Sequence, residues 1–364
     1  MRAVYLGIDF HTTRIVWHRI ERTTDGKIVR TSGSFYPEQL CQFIALLDKD
    51  TIICVEASSG VFEFCEFVEP YVKKIHVIHP NKFRRMYLSG KKTDKVDAKN
   101  LADRVKAHIE DNDPRDDFPS VWIPPRAIRE LRDMFSSLKL LKTQIVMHKN
   151  KIRSILRQYM HPRAQTSGLE HMNAAELELP ETARWIIRQH QTLLRSTLEL
   201  KKEIEERIKR AAVTFDEETM KLLVTIFGVS VLGSSALIAD VGCIERFKTS
   251  KRFAHYMRSA PWVATSNKTN RIGSIDKAGR KTAFGYLVEG LVNIYSGNPH
   301  FFRFYESKTK GKSKGKVRAA IVRKTLTAIY YMWKNREEYR FQHDRATQCK
   351  LKEIERIKNS IQAA

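Results

Sequence analysis

The first eighty residues constrain the fold most, because short β-branched runs there end in carboxylates. Ala3-Val4-Tyr5-Leu6-Gly7-Ile8-Asp9 reads as a buried strand that stops on an acid. Residues 14–20 read as a second strand, Thr23-Thr24-Asp25-Gly26 as a hairpin turn, and 27–35 as the returning third strand. The pattern then changes. Residues 37–48 predict a helix, 51–55 a fourth strand followed directly by Glu56, 61–72 a second helix, and 74–79 a fifth strand. Three strands in hairpins followed by alternating helix and strand predict an α/β domain, with a mixed sheet covered by helices.

Residues 109–125 are rich in Asp and Pro and read as a linker. Beyond it Ile128, Leu131, Phe135, Leu138, Ile145, Ile152 and Leu156 keep helical spacing, and a second helix over 181–212 carries Leu193, Leu200, Ile204 and Ile208. Two long antiparallel helices, or a coiled coil with another chain, satisfy that pattern. The polar stretch 161–179 between them reads as irregular. Residues 219–257 hold apolar helical stretches broken at Phe227-Gly228-Val229 and Gly242, followed by a basic loop over 262–281, a helix over 282–297, a flexible cationic loop over 307–318 and a last helix over 319–334. A charged, partly disordered tail closes the chain. The division expected is 1–125, a helical region 126–212, a basic domain 213–345 and a tail 346–364.

Charge separates these parts. The chain has 65 Lys+Arg against 41 Asp+Glu, a net of +24. Residues 1–120 hold 19 basic and 18 acidic side chains, so the remainder carries +23. A polyanion is the implied partner, nucleic acid before a membrane surface, since no basic amphipathic helix with an aromatic face is evident. No apolar run approaches the ~20 residues of a membrane span, and the N-terminus is too soon acidic for a signal peptide. Five cysteines without C-x-x-C spacing fit a reducing cytoplasm. The twelve histidines form no H-x3-H or mixed set with cysteine, and none is assigned to metal.

Asp9 ends the first strand and Glu56 follows the fourth. If those strands are parallel neighbours, both acids stand at one sheet edge. Thr93 is a suitable N-cap for a helix whose first turn holds Asp94 and Asp97, on the face that continues into Ala98, Leu101 and Val105. That face packs on the sheet and aims both aspartates at the same edge. Four converging carboxylates raise one another's pKa without a counter-ion, and such an oxygen-rich set suits two Mg²⁺ or Mn²⁺ ions.

On these residues the chain resembles a known family. Gly7-Ile8-Asp9, Val55-Glu56-Ala57-Ser58-Ser59-Gly60, His79-Pro80-Asn81-Lys82 and Lys92-Thr93-Asp94-Lys95-Val96-Asp97-Ala98 look like the DEDD motifs of RuvC-like insertion-sequence transposases. That group includes Piv-type DNA invertases and bridge-RNA-guided recombinases. Leu223–Gly242 is similar to the family's helix–hairpin–helix-like segment, and Gly315–Lys324 to a further basic block. Pro261, Ser266, Lys268, Arg271, Lys277 and Gly279 match the segment that carries a serine nucleophile.

The resemblance implies a RuvC-like (RNase H-type) α/β domain, a coiled-coil middle and a mainly α C-terminal domain. It implies a catalytic set of Asp9, Glu56, Asp94, Asp97 and Ser266, with the four acids holding metal. Thr265 and Ser274 are the alternative nucleophiles, and a loop serine contacting phosphate is the alternative role. The expected partners are donor and target DNA, a structured guide RNA encoded by the element, and further copies of the chain as homodimer or homotetramer, without a membrane. The expected location is the cytoplasm, at the nucleoid when acting. Lys82, Arg84, Arg85, Lys91, Lys92, Lys268, Arg271, Lys277, Arg280, Lys310, Lys312, Lys314 and Lys316 are the expected nucleic-acid contacts. A metal-dependent nuclease using water, and a non-catalytic nucleic-acid-binding protein, are the rival functions.

Overall fold

β-branched residues recur in each of the five strands that the sequence predicts. In the computed structural model β1 (Ala3–Phe10), β2 (Ile15–Arg22), β3 (Ile28–Phe35), β4 (Thr51–Glu56) and β5 (Lys74–Ile78) form one sheet in the order β3-β2-β1-β4-β5. The structure describes residues 2–86, 93–111, 118–266, 269–275 and 279–363. β1 pairs antiparallel with β2 and parallel with β4, in a register that sets Ile8 beside Val55. The chain divides into two compact units, Met1–Pro124 and Pro125–Ala364.

In the first unit strand alternation sorts the core onto two faces. Leu6, Ile8, Ile53 and Val55 pack against α1 (Leu40–Ile44) and α2 (Val61–Val68) through Phe43, Val61, Phe64 and Val68. Tyr5, Ile52 and Cys54 face the other way, toward Leu101, Ala102 and Val105 of α4 (Asp94–Asp111) and Phe83 of α3 (Pro80–Met86). Gly7 shares that second face. A Cβ built on it would stand 2.0 Å from the Ala98 carbonyl oxygen and 2.3 Å from the Ala102 nitrogen. The helix backbone therefore rests directly on β1. Thr93 caps α4 as expected, its hydroxyl accepting from the Val96 amide at 3.4 Å.

In the second unit α5 (Arg126–Gln158) and α6 (Glu181–Leu223) form a long helical hairpin. All seven apolar residues predicted for the α5 seam are buried. On α6 Ile208 is buried as predicted, but Leu193 and Leu200 are 50 % and 52 % exposed, and the first half of the seam runs instead through Ala183, Ile187, Gln191 and Leu194. A polar residue conceals it from periodicity. Gln191 is buried because its Nε2 donates to the carbonyls of Leu169 and Met172, each at 2.7 Å, pinning the connecting segment. α6 passes Asp216 with non-helical backbone, and the Asp216 carboxylate accepts from the Thr219 amide to restart the helix.

α7 (Val231–Val241) is buried all round, as an apolar helix in a larger core should be. Near it Gly228, at φ +94°, meets Gly290, whose added Cβ would stand 1.9 Å from the Gly228 carbonyl. α8 (Ser250–Tyr256), α9 (Thr282–Glu289), α10 (Leu291–Ser296), α11 (Pro299–Thr309), α12 (Lys314–Asn335) and α13 (Asp344–Gln362) complete the unit.

Three expectations are corrected. The basic loop over 262–281 contains an antiparallel ribbon, β6 (Pro261–Ser266) with β7 (Thr269–Ile275), because Val263, Thr265, Thr269, Ile272 and Ile275 intersperse β-formers among the cations. The cationic run over 307–318 mostly continues α11 or opens α12, leaving 310–313 between them. The tail is helical rather than partly disordered. Ile354 and Ile357 bury one face of α13, and the Lys350 ammonium donates to the carbonyls of Val224, Ile226 and Val229. No helix among the described residues is long and apolar enough to cross a membrane.

Replacing Gly7 with Ala forces α4 off the sheet. The expected loss is about 3 kcal/mol in the first unit's unfolding transition, read by urea denaturation. In the helical hairpin the Nδ1 atoms of His148 and His190 lie 3.0 Å apart. Burial, then His148 and Lys151, lowers the His190 pKa. A His with a lowered folded pKa binds fewer protons folded than unfolded. Its contribution is therefore intact above the ordinary His pKa of about 6.5 and is lost as pH falls through the folded value. The melting temperature should fall less between about pH 7.5 and 5.5 in His190→Gln than in the wild type.

Candidate active site

The first-unit site forms where β1 leaves the sheet. Asp9 is the next residue after Gly7 on the α4-facing side of β1, so the contact that seats α4 also brings its first turn to Asp9. Ligand atoms of Asp9, His11 and Asp94 all lie within 4.8 Å of one another, and His11 Nε2 stands 3.4 Å from Asp9 Oδ2. Burial raises the Asp9 carboxyl above its ordinary range. The charges of Asp94 and Asp97 raise it further, while His11 opposes them. Glu56 ends β4, parallel to β1, and alternation with Ile52 and Cys54 gives it the same sheet face. Asp97 is half-buried in the first turn of α4 and Asp94 is exposed.

These residues fit a divalent cation. The donors are mainly hard oxygens with one imidazole nitrogen. The half-buried Asp9 carboxylate carries a burial penalty and two like-charged neighbours, both of which a cation relieves. His11 is the residue that sequence reasoning passed over. Its signal was position, two residues beyond the strand-ending aspartate, rather than a histidine motif.

In the second unit Ser266 is the last residue of β6 and pairs with Thr269, while Thr265 pairs with Asn270 and Ala264 with Arg271. Ser274 lies on β7. Lys91, Lys92, Lys268 and Lys277 lie outside the described residues. Arg84 and Arg85 belong to α3, where Lys82 is exposed. Lys310 and Lys312 are exposed between α11 and α12, and Lys314 and Lys316 are exposed on the first turn of α12.

Arg280 is held by a group that the sequence did not single out. Its Nε donates to Asp240 Oδ1 at 3.2 Å, and Asp240 Oδ2 accepts from the Ala283 amide at 2.8 Å. Asp240 is 1 % exposed on α7. Burial pushes its carboxyl up, against the Ala283 amide and the charges of Arg280 and Arg132. Arg132 of α5 donates to the carbonyls of Ala239 and Asp240, at 2.7 and 3.3 Å. Burial and the charge of Arg280 bring its pKa down to about 10. Asp240 thus anchors the exit of the β6–β7 ribbon and the start of α9 to the buried helix.

An acidic sheet edge built from β1, β4 and α4, on a chain whose remaining length is strongly basic, fits a divalent cation at the edge and a polyanionic partner for the rest of the chain. Comparison with known proteins makes this specific. A family model described as Transposase, the DEDD type of the IS110 group, matches residues 6–161, and one described as Transposase IS116/IS110/IS902 family matches 220–306. A "Probable family 20 transposase" of Pseudomonas aeruginosa is 23 % identical over 252 residues, covering 66 % of this chain and 70 % of that protein. The chain belongs to the IS110-type DEDD transposases, enzymes that act on DNA.

Asp240→Asn keeps the shape and removes the charge facing Arg280. Breaking one side of a buried pair should cost about 3 kcal/mol, read as a lowered midpoint in urea denaturation.

Proposed function

We propose that this transposase cuts and rejoins DNA by transesterification, with Ser266 as nucleophile and Asp9, Glu56, Asp94 and Asp97 as the acids of a RuvC-like metal site. The observation that carries the reading is the convergence of Asp9, His11 and Asp94, with ligand atoms within 4.8 Å of one another, at the edge where Glu56 also ends its strand. A pair of Mg²⁺ or Mn²⁺ ions bound there would polarise a phosphodiester and neutralise charge that builds on its oxygens.

The chain's own residues account for the remaining chemistry. The Ser266 oxygen forms a bond to phosphorus as one phosphorus–oxygen bond to deoxyribose breaks, and the serine proton goes to the departing oxygen. Bond energy is conserved in the serine–phosphate link, so rejoining needs no ATP. Arg271, opposite Ala264 on the ribbon, and Lys268 and Lys277 supply cations for the non-bridging oxygens. The net charge of +23 beyond residue 120 supports a nucleic-acid partner, and the family resemblance implies that a structured guide RNA joins the DNA. Residues 126–212 serve assembly of two or four copies, and 213–345 carry the nucleophile, since two duplexes cut and rejoined require four strand events.

The test is adduct mapping. The full chain, co-expressed with its flanking DNA, is given Mg²⁺ and a target duplex, then denatured and digested. A nucleotide-bearing peptide on Ser266 is expected. Ser266→Ala and Asp9→Asn should each lower recombinant product by about a thousandfold or more. An adduct on Thr265 moves the nucleophile by one residue. Cutting by Ser266→Ala at the wild-type rate, with free ends, would assign the reaction to water and refute the serine mechanism.

A further inference from the structure

The second unit contains a cleft of about 630 Å³ between α5, the turn after α8 and the start of α9. Six cationic side chains line it, Arg132, Lys139, Lys142, Arg258, Arg280 and Lys281, against the acids Asp133 and Glu289. The cations play different parts. Arg132 and Arg280 are committed to α7 and Asp240. Lys142 lies against Tyr286, 3.3 Å from its hydroxyl and 4.8 Å from its ring centroid. Lys139, Lys281 and Arg258 are gathered together. The charges acting on Lys281 are those of Lys139 first and then Arg258, and they lower its pKa although the group is exposed.

Backbone geometry builds this gathering. Arg258 holds φ +53°, a left-handed conformation that a residue with a side chain adopts at a cost. From there its Nε donates to the Gly279 carbonyl at 2.7 Å, while the Arg280 amide donates to the Tyr256 carbonyl at 3.0 Å. These two bonds tie together the chain entering β6 and the chain leaving β7. The cleft is thus the foot of the ribbon that bears Ser266.

We infer that this cleft is a binding site for the phosphodiester backbone of a nucleic acid, with Lys139, Lys281 and Arg258 as its anion-binding group. Three cations held together on a rigid base repel one another until a multivalent oxyanion stands among them. Backbone phosphates supply such oxygens at short, regular intervals, and contacts of this kind position a strand without reading its sequence. The assignment rests on the second unit alone and does not depend on Ser266 acting as nucleophile.

The test compares Lys139→Gln/Lys281→Gln with Lys202→Gln/Lys352→Gln, which removes two exposed charges elsewhere on the same unit. Fluorescence anisotropy of the full chain is read on a duplex DNA of arbitrary sequence and on a single-stranded RNA, across a salt series. The cleft variant should bind about tenfold or more weakly than the control variant, and its log K against log salt slope should be shallower by one to two phosphate contacts, about 0.7–0.9 each. Loss on both probes assigns the cleft to backbone generally; loss on one assigns it to that strand. Lys281→Arg, which keeps the charge, should bind as the wild type does. Without nucleic acid the cleft variant should melt no lower than the wild type, since it loses a repulsion. Affinity and slope equal to the control variant on both probes would overturn the assignment, as would weakened binding that accompanies a lowered melting temperature and that Lys281→Arg shares.

Discussion

Between Gly7 of β1 and the α4 backbone at Ala98 and Ala102 there is room for a hydrogen atom and nothing larger. The geometry of the acidic edge depends on that contact. Because the helix lies directly on the strand, its N-terminal turn falls beside the strand's last residues. Asp94 thereby reaches Asp9 although the two are separated by most of the first unit's sequence. The parallel pairing of β1 with β4 supplies the second half of the arrangement, since strand direction decides that Glu56 and Asp9 end at the same edge. A helix held off by one methyl group would leave the same residues in the sequence and no site.

Two semi-buried or buried acids in this chain show how environment separates structure from chemistry. Burial raises the pKa of both Asp9 and Asp240. Asp240 is answered within the protein by a backbone amide and two guanidinium groups, so its charge is spent on holding α7, α9 and the ribbon exit together. Around Asp9 two of the three neighbouring charges have its own sign, and the third is an imidazole whose side chain is mostly exposed. An acid placed so is poised for a cation from outside.

The strands and the acidic edge were legible in the sequence because both follow short-range rules. Short apolar runs bounded by turn signals mark β1, β2, β4 and β5, and an acid at the end of a strand or in the first turn of a helix has a position that chain direction dictates. What was hidden depended on long-range partners. Gln191 enters the α6 seam only because carbonyls at Leu169 and Met172 await it, which shifts the apparent heptad to Leu193 and Leu200. The α13 tail reads as charged and loose until Ile354, Ile357 and Lys350 find the end of α6. The β6–β7 ribbon is masked by its cations, since polarity there reports the partner rather than the backbone. His11 was missed because its nearness to Asp94 comes from α4 arriving beside it, which no local motif encodes.

The same distinction sorts the basic residues. Along α6 cations alternate with acids: Lys201 pairs with Glu205, Arg207 with Glu203, Lys209 with Glu206 and with Glu353 of α13, and Lys221 with Glu217. Those charges are balanced within the chain, and exposed pairs of this kind contribute little beyond solubility and helix stability, about 0.3–0.5 kcal/mol each. At the foot of the ribbon Lys281 instead faces Lys139 and Arg258, and the folded chain tolerates the repulsion. Net charge alone marks this transposase as a partner of polyanions, but it is the failure to neutralise charge locally that marks where the polyanion sits. Cations paired in cis belong to the scaffold. Cations crowded together on a braced turn, with a left-handed arginine holding the brace, mark a surface that is complete only when phosphate occupies it.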